Sequence, residues 1–167
     1  MLVNYDELSN IRKKYRDKKI VLVKGSFDLF HIGHLNLLQK AKSLGDILVA
    51  VVKCDEAVKE KGIDRPFIDE YNRALIVDAI KYTDYCVIAN EKESLDDYKV
   101  FYDKDKLQYE RYSKIVNNLK PDIVIKQPDY NIPECLLDLY KKYSTKVVEI
   151  ERTKGISTTE LIEKIRR

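Results

Sequence analysis

KIVLVKGSFDLFHIGH, at residues 19–34, predicts how the chain begins to fold. Its first part, Ile20–Val23, is a short continuous apolar run of the kind found in a strand that is buried on both faces of a sheet. Beyond Gly25, the apolar residues between positions 35 and 44 follow the spacing of a helix. These residues therefore predict a buried strand, a turn that begins with glycine, and a long helix.

Four further apolar runs repeat this pattern, at Ile47–Val52, Tyr85–Ile88, Ile123–Ile125 and Lys146–Ile150. Helical patterns lie between them, and strands that alternate with helices of about ten residues or more form parallel β-α-β units. We therefore predict an α/β fold, a Rossmann-like doubly wound sheet of five parallel strands. Two further helices are predicted, at about Tyr5–Tyr15 before the first strand and at about Ser157–Ile165 after the last.

The segment Asn90–Asn118 fits this scheme poorly. It is dense in charged residues and tyrosine and contains neither glycine nor proline, so a helix is predicted for much of it. We treat it as an insertion within a single domain that spans residues 1–167. A solvent-exposed helical flap, a lid and a subunit contact are all open as its role.

Composition and charge limit the classes of protein to consider. Of the 167 residues, 44% are hydrophobic and 35% are charged, which is the balance of a folded globular domain. A net charge of +3, spread along the chain, is too small to predict a nucleic-acid partner. No apolar run approaches the roughly 20 residues that span a bilayer, so we expect no membrane partner and a cytoplasmic protein. Cys54, Cys86 and Cys135 form no C-x-x-C pair, and we predict buried thiols rather than disulfides or a zinc site.

The strongest candidate for a functional site lies where the first strand ends and the first long helix begins. Open α/β sheets bind ligands at the carboxyl ends of their strands, and the N-terminus of a helix attracts phosphate. His31 and His34 would lie on one face of the first helical turn, and Gly33 between them leaves room for a phosphate at the backbone. Two imidazole donors aimed at one spot suit a reaction in which negative charge builds up on a phosphate.

Two other interpretations of this histidine pair are open. The side chains could bind a metal, but the only nearby third ligand is Asp28, and H-x-x-H alone does not define a zinc site. They could also be structural histidines that are satisfied by internal hydrogen bonds. They are the only histidines in the chain and both stand at one helix start, which favours the phosphate interpretation.

A second candidate segment is RTKGISTT, at residues 152–159. Ser157 and Glu160 have the spacing of a helix capping box, which would explain both residues without any ligand. That spacing does not explain the hydroxyls of the two threonines that follow Ser157, or the nearby Arg152. Together they form a combination suited to β- and γ-phosphates. We therefore expect this segment and the histidine pair to belong to one site.

GSFDLFHIGH at residues 25–34, together with RTKGISTT, resembles the cytidylyltransferase-like nucleotidyltransferase superfamily, and the resemblance covers nearly the whole chain. The adenylyltransferase domain of ADP-heptose synthesis is similar over much of it, for example at Lys120–Lys126. Glycerol-3-phosphate cytidylyltransferase is similar at Arg152–Thr159. The resemblance implies a Rossmann-like fold of the nucleotidyltransferase type. It also implies transfer of a nucleoside monophosphate from ATP or CTP to a phosphorylated sugar or polyol, with release of pyrophosphate.

The resemblance implies roles for particular residues as well. Catalytic roles are implied for His31, His34, Lys61 and Arg152. Nucleotide binding is implied for Gly25, Ser26, Phe27, Asp28, Gly33, Lys126, Asp129, Ser157, Thr158 and Thr159, and acceptor binding for Asp55 and Arg73. Asp55 could equally be the N-cap of a helix. Mg²⁺ would bridge the triphosphate, with no dedicated protein ligand beyond at most Asp28.

Two features of the chain depart from this family. Residues 126–130 have the sequence KQPDY where the heptose branch has K-G-G-D-Y, and residues 90–118 are longer than the matching segment in either branch. ATP and CTP therefore both stay open as the nucleotide, and the acceptor stays open as well. A catalytically silent nucleotide-binding module that regulates a partner is the alternative function, but the presence of the phosphate-contacting residues favours an enzyme. A homodimer is expected by family analogy.

Overall fold

The computed structural model describes residues 1–62, 64–89 and 104–166, of which residues 104–111 are described by their backbone alone. These residues form five strands, β1 (Ile20–Gly25), β2 (Ile47–Lys53), β3 (Tyr85–Ala89), β4 (Ile123–Lys126) and β5 (Lys146–Glu149). They also form seven helices, α1 (Tyr5–Lys14), α2 (Ile32–Lys42), α3 (Asp55–Lys59), α4 (Glu70–Asp78), α5 (Lys104–Leu119), α6 (Glu134–Lys142) and α7 (Thr158–Ile165).

The strands of the described residues pair in parallel in one sheet, in the order β3-β2-β1-β4-β5. The central strand β1 pairs with β2 along its whole length, from Ile20 opposite Ile47 to Gly25 opposite Val52. The chain moves outward from β1 first through β2 and β3 and then through β4 and β5, so the predicted doubly wound Rossmann-like sheet is confirmed. The order reverses between β1 and β4, which is where sheets of this kind bind ligands.

Helices cover both faces of the sheet, and each face has its own apolar core. On one face, α1, α5 and α6 contribute the fully buried Leu8, Ile115 and Leu136. On the other face, α2 and α4 contribute Leu38 and Val77. Burial of each large aliphatic side chain stabilises the fold by about 1.5–3 kcal/mol. The two cores together hold the ends of the strands in place.

Two aspartates fix the edge of the sheet at which the strands begin. Asp122 precedes β4 and accepts the backbone N–H of Ile20 at 2.7 Å, and Asp84 precedes β3 and accepts the backbone N–H of Leu48 at 2.7 Å. Asp122 also pairs with Arg12 at 3.0 Å. Charge-assisted hydrogen bonds of this kind join neighbouring strands and fix how far each strand is shifted along its neighbour. The start of the Lys120–Lys126 segment therefore has a structural role at the edge opposite the ligand-binding edge.

Helix α5 shows that the segment predicted as an insertion is in part a core element. Residues 90–103 of that segment lie outside the described residues. The helix predicted for the rest is present, and Tyr112, Ile115, Val116 and Leu119 on it are buried in the core beneath α1 and α6. A flap or lid is therefore the wrong description of this half. Its many charged residues concealed an apolar stripe with helical spacing.

Burial tests the prediction for the cysteines. Cys54 and Cys86 are buried as predicted, whereas Cys135 on α6 is exposed, and none of the three thiols forms a disulfide. The prediction was wrong for Cys135 because α6 is amphipathic and this position lies on its solvent side. Within the described ranges, no helix combines the length and the apolar character needed to cross a bilayer.

Candidate active site

A cleft of about 370 Å³ opens at the carboxyl ends of β1 and β4, where the strand order reverses. Its walls are the turn after β1, the first turn of α2, the loop after β4 and the segment that enters α7. Most of the predicted site residues line it, namely Gly25, Ser26, Phe27, His31, Gly33, His34, Lys61, Lys126, Asp129, Arg152, Ser157, Thr158 and Thr159. Asp28, Asp55 and Arg73 do not line the cleft.

The turn after β1 shapes the floor of the cleft. Phe27 has a φ of 52° and Leu29 a φ of 45°, in the left-handed region that residues other than glycine rarely adopt. The buried Phe27 ring lies so close to Gly25 that an added Cβ would be 2.9 Å from it. The same ring contacts the imidazole of His34 at a centroid distance of 5.4 Å, edge to face. Gly25 is therefore needed for the close approach of the ring that supports His34.

His31 and His34 cap the helix whose first turn they occupy. His31 is the N-cap of α2, and its Nδ1 accepts the backbone N–H of Gly33 at 3.1 Å. The Nδ1 of His34 accepts the backbone N–H of His31 at 3.4 Å, and the two rings stack with their centroids 3.9 Å apart. An added Cβ on Gly33 would be 2.8 Å from the His31 ring. Glycine at this position thus makes room for the imidazole, whereas the sequence predicted that it makes room for a phosphate.

These hydrogen bonds fix the protonation of both rings. A ring nitrogen that accepts a hydrogen bond carries no proton, so in a neutral imidazole the proton is on Nε2. Burial and, after it, the neighbouring His31 and Lys61 lower the pKa of His34 to about 3. Burial also lowers the pKa of His31, against the opposing effect of Glu160. Both imidazoles are therefore neutral near pH 7, and each brings an Nε2–H donor to the cleft.

The segment that enters α7 forms another wall, and hydrogen bonds join it to the turn after β1. Ser157 is the N-cap of α7 and accepts the backbone N–H of Glu160 at 3.1 Å, which is the first half of the predicted capping box. The hydroxyl of Thr158 donates to the backbone carbonyl of Asp28 at 3.0 Å. The oxygen of that hydroxyl lies 3.5 Å from the Nε2 of His31. The structure thus brings the two predicted segments together in one site.

Positive charge is concentrated in the cleft. The ammonium of Lys61 donates to the hydroxyl of Ser26 at 2.9 Å. Much of the Lys61 side chain is exposed. Desolvation of the ammonium and, after it, the positive charges of Lys53, Arg65 and Arg152 lower its pKa to about 8. Cations that disfavour each other's charge in this way are arranged to bind an anion.

Two predicted phosphate or nucleotide contacts are paired with carboxylates. Arg152 forms a bidentate pair with Asp129, with Nε at 3.1 Å and the second nitrogen at 2.6 Å from the two carboxylate oxygens. Lys126 pairs with Glu149 at 2.6 Å. Solvent-exposed pairs of this kind contribute about 1 kcal/mol or less to stability. A phosphate can therefore replace the carboxylate of Asp129 at little cost, which leaves Arg152 available to a ligand.

Asp28 is placed differently from its prediction. Its side chain is 1% exposed, and the carboxylate accepts the backbone N–H groups of Phe67 and Ile68, each at 3.1 Å. These bonds use the carboxylate within the protein, so Asp28 contacts neither a nucleotide nor Mg²⁺ in this arrangement. It fixes the loop before α4 to the turn after β1.

Arg73 and Asp55 form an ion pair outside the cleft, which corrects their assignment to acceptor binding. The side chain of Arg73 is 0% exposed and donates to the carboxylate of Asp55 at 2.7 Å. It also donates to the carbonyls of Lys53 at 2.8 Å, Ile68 at 2.7 Å and Ser26. Arg73 is therefore a positioning residue that joins the ends of β1 and β2. The residue before Asp55 is the N-cap of α3, so the alternative N-cap prediction for Asp55 is wrong.

Two lysines that line the cleft were missed by the sequence prediction. Lys24 stands at the penultimate position of β1 and Lys53 at the end of β2. Each follows a continuous apolar run, Ile20–Val23 or Ile47–Val52. A charged residue directly after a buried parallel strand is placed at the ligand-binding edge of the sheet, and this was the signal that could have found them.

Comparisons with known proteins agree with this geometry. The model of the cytidylyltransferase-like family matches residues 22–164. The bifunctional protein HldE of Geobacter metallireducens is 38% identical over 169 residues, which cover 98% of this chain and 31% of that protein. HldE of Syntrophotalea carbinolica is 34% identical over 175 residues, with 98% and 32% covered. This chain therefore spans about a third of the length of these curated relatives.

Solved structures show the same fold. The lipopolysaccharide core biosynthesis protein from Thermoplasma volcanium has a TM-score of 0.58 at 27% identity, with 83% of this chain and 99% of that chain covered. Pantoate-beta-alanine ligase from Francisella tularensis has a TM-score of 0.63 at 15% identity, with 99% and 77% covered, and this likeness concerns the fold alone.

The fold and the cleft are those of a Rossmann-like nucleotide-binding domain. Because the family model matches most of the chain, this chain belongs to the cytidylyltransferase-like family. The resemblance predicted from the H-x-G-H and R-T-K-G-I-S-T-T segments is confirmed.

Proposed function

We propose that this chain transfers a nucleoside monophosphate from ATP or CTP to a phosphorylated sugar or polyol, of the heptose 1-phosphate or glycerol 3-phosphate kind, and releases pyrophosphate. The observation that carries the proposal is the pair of imidazoles of His31 and His34, whose Nδ1 atoms accept backbone N–H groups. Their Nε2–H groups are left as neutral donors beside the cations of the cleft. Fixed donors of this kind stabilise the charge that develops on phosphate oxygens in the transition state.

The reaction needs no protein nucleophile. An oxygen of the acceptor's phosphate attacks the α-phosphorus and forms a new P–O bond. The bond from that phosphorus to the bridging oxygen breaks, and its electron pair leaves with pyrophosphate. A phosphate monoester is largely ionised near neutral pH, so no general base is required. The protein holds the two reactants in line and stabilises charge.

The segment that enters α7 suits the outer phosphates. Thr158 lies next to His31, and Arg65 donates to the hydroxyl of Thr159 at 3.2 Å. Arg152 supplies a planar fork of donors once it leaves Asp129, and such a fork matches phosphate oxygens. We therefore assign the α-phosphate to the histidines and the leaving pyrophosphate to this segment.

Mg²⁺ is expected together with the triphosphate, whose charge it would neutralise. Over the described part of the chain, no group of three or more His, Cys, Asp or Glu side chains could hold a metal ion. The carboxylate of Asp28, the one predicted ligand, already accepts two backbone N–H groups. These residues do not fit a dedicated Mg²⁺ site, and we propose that the ion enters bound to the oxygens of the nucleotide.

Different parts of the chain support different substrates. The similarity to HldE over 98% of the chain supports ATP with a heptose phosphate. The segment Arg152–Thr159 resembles the glycerol-3-phosphate branch and supports CTP with a polyol phosphate. Pro128 in the loop after β4 has no N–H to offer to a base, so the contacts that select the base differ from those of the heptose branch.

Pyrophosphate release tests the proposal. ATP, CTP, GTP and UTP are each assayed against a panel of sugar phosphates, polyol phosphates and phosphopantetheine. We expect release with one pair of nucleotide and acceptor, and none from the nucleotide alone. Nucleotide binding without turnover for any pair would instead favour the silent regulatory module.

The homodimer and the cytoplasmic location stay predictions from the sequence. Light scattering of the purified protein measures its mass in solution and so tests the dimer. A mass of one chain at assay concentrations would refute it.

A further inference from the structure

The ammonium of Lys24 is buried at the cleft without a hydrogen-bond partner among the described residues. It lies 3.6 Å from the centre of the Tyr130 ring and 4.5 Å from the centre of the Tyr112 ring. Aromatic faces attract a cation, but they do not replace the hydrogen bonds that an ammonium loses when it is buried. An unpaired ammonium at the wall of a ligand cleft is therefore suited to an anion that the ligand brings.

Lys53 brings a second ammonium to the same region. Lys24 pairs with Val51 across the sheet, and Lys53 follows two residues later, so both lysines belong to one face of the sheet. The charge of Lys53 acts on Lys24 and lowers its pKa. The acidic group that acts on Lys53 is Glu60, and within the described chain the two do not form an ion pair.

The face that carries these lysines is not the face that carries the histidines. Val51 and Tyr112 belong to the core beneath α5, whereas Phe27, which supports His34, belongs to the core beneath α2. An in-line displacement needs the attacking oxygen and the leaving pyrophosphate on opposite sides of the α-phosphorus. With pyrophosphate assigned to the wall at α7, beside His31, the attacking phosphate falls on the side of the two lysines.

We propose that Lys24 and Lys53 form a second anion subsite of the cleft, which binds the phosphate of the acceptor. The inference rests on the proposed function, because it assigns the place of the acceptor in the same reaction. The ring of Tyr130 covers the ammonium of Lys24. A bound phosphate replaces that ring contact with a charge-assisted hydrogen bond, which is the stronger interaction.

The change in protonation of Lys24 gives a second measure of phosphate binding to the proposed subsite. Burial, together with the charge of Lys53, lowers the pKa of Lys24 to about 7, so part of the population is neutral in the free protein near pH 7. A phosphate dianion favours the charged form and raises this pKa, so its binding takes up a proton. The other groups that face the ammonium are Tyr112 from α5 and Tyr130 from the loop after β4. Burial holds the pKa of Tyr112 well above its usual value, so that phenol does not titrate.

The test measures the affinity for inorganic phosphate when the triphosphate site is filled with an α,β-methylene analogue of ATP or CTP. Calorimetry at about pH 8, in two buffers of different ionisation enthalpy, gives both the affinity and the number of protons taken up. We expect Lys24→Met and Lys53→Met each to weaken phosphate binding by about tenfold or more. Lys24→Met should also remove most of the proton uptake. Lys40→Met, at an exposed lysine of α2, is the matched control and should bind phosphate as the wild type does.

The melting temperature of the Lys24→Met variant distinguishes an anion-binding role of Lys24 from a structural one. Lys24→Met removes a buried ammonium that has no hydrogen-bond partner, so its melting temperature at about pH 6 should be above that of the wild type. A lower melting temperature with unchanged phosphate affinity would show that Lys24 only fills space, and would overturn the inference. If the wild type binds the nucleotide analogue but neither lysine variant changes phosphate affinity, the subsite alone is refuted. If the wild type binds neither analogue, the proposed function itself fails.

Discussion

The backbone N–H of Gly33 donates to the Nδ1 of His31 at 3.1 Å, and the ring lies only 2.8 Å from where a Cβ on Gly33 would stand. The glycine therefore sets both the position of the imidazole and the nitrogen that carries its proton. Within the H-x-G-H motif, Gly33 therefore orients the first histidine, His31.

Gly33→Ala tests this dependence. The added methyl group would be 2.8 Å from the His31 ring, so the ring has to rotate and lose its hydrogen bond. We expect kcat to fall by about tenfold or more. Alanine is better than glycine in a helix by about 0.5–1 kcal/mol, which offsets the loss of the cap hydrogen bond, so the melting temperature should change little. An unchanged kcat would mean that the ring orientation is not required.

His31→Asn separates the two roles of His31. The amide oxygen of asparagine can cap α2 as the Nδ1 of His31 does, but the Nε2–H donor is lost. We expect kcat to fall by about 10²-fold with a melting temperature close to that of the wild type. His31→Ala loses the cap as well and should be less stable by about 1 kcal/mol. Equal kcat in His31→Asn and the wild type would remove His31 from the mechanism.

The neutral state of the histidines predicts the pH dependence of the rate. Because burial lowers the pKa of both rings, neither depends on a proton that is lost near pH 6.5. We expect kcat not to fall as the pH rises from about 5.5 to 7, the range in which a required imidazolium would lose its proton. A rate that falls with rising pH across this range would indicate that a charged histidine takes part.

Stability should depend on pH through His34. Its pKa is about 3 in the folded protein and near 6.5 when it is unfolded, so between these values the unfolded chain binds more protons. The free energy of unfolding therefore rises with pH across this window, and its contribution from His34 is lost on acidification. Urea denaturation at about pH 4.5 and pH 7 measures the difference, which should be smaller in His34→Gln. An identical pH dependence in the variant would contradict the buried neutral state.

Arg73→Lys tests the positioning role of Arg73. One ammonium cannot replace a planar guanidinium that donates to Asp55 and to three backbone carbonyls. We expect a loss of about 3 kcal/mol or more in the free energy of unfolding, measured with urea. Arg16→Lys, at an exposed arginine, is the control and should change it by less than about 0.5 kcal/mol. Unchanged stability with a raised KM for the acceptor would restore Arg73 to acceptor binding.

The strands and the histidine site could be predicted from the sequence because their signals are local. Ile20–Val23 is apolar throughout because β1 is buried on both faces, and the two segments at residues 25–34 and 152–159 each contain their own pattern. The folding topology then brings the two segments together, since both follow strands that end at the same edge.

The environments of Asp28 and Arg73 could not be predicted in this way. Asp28 binds the backbone of Phe67 and Ile68, about 40 residues away, and Arg73 binds backbone carbonyls on three different segments. Backbone groups are the same in every residue, so the sequence carries no mark of such partners. Asp28 and Arg73 are residue types that often bind ligands, but in this structure their side chains hold backbone segments together.

The flap or lid predicted for the segment with helix α5 was wrong for a different reason. Its charged residues dominate the composition, whereas the apolar side chains that enter the core recur only once or twice per turn. Tyr112 shows the consequence most clearly, since it falls in the predicted insertion and lies buried next to Lys24.

Helix α7 carries Thr158 and Thr159, yet none of its residues is buried. Its attachment depends on contacts such as the hydrogen bond from Thr158 to Asp28, which lie 130 positions apart in the chain. An element that buries so little apolar surface detaches at a far smaller free-energy cost than the sheet unfolds. Fraying of this one helix would open the wall assigned to pyrophosphate, and amide hydrogen exchange should be much faster in α7 than in β1. Release of the product would then need no movement of the strands.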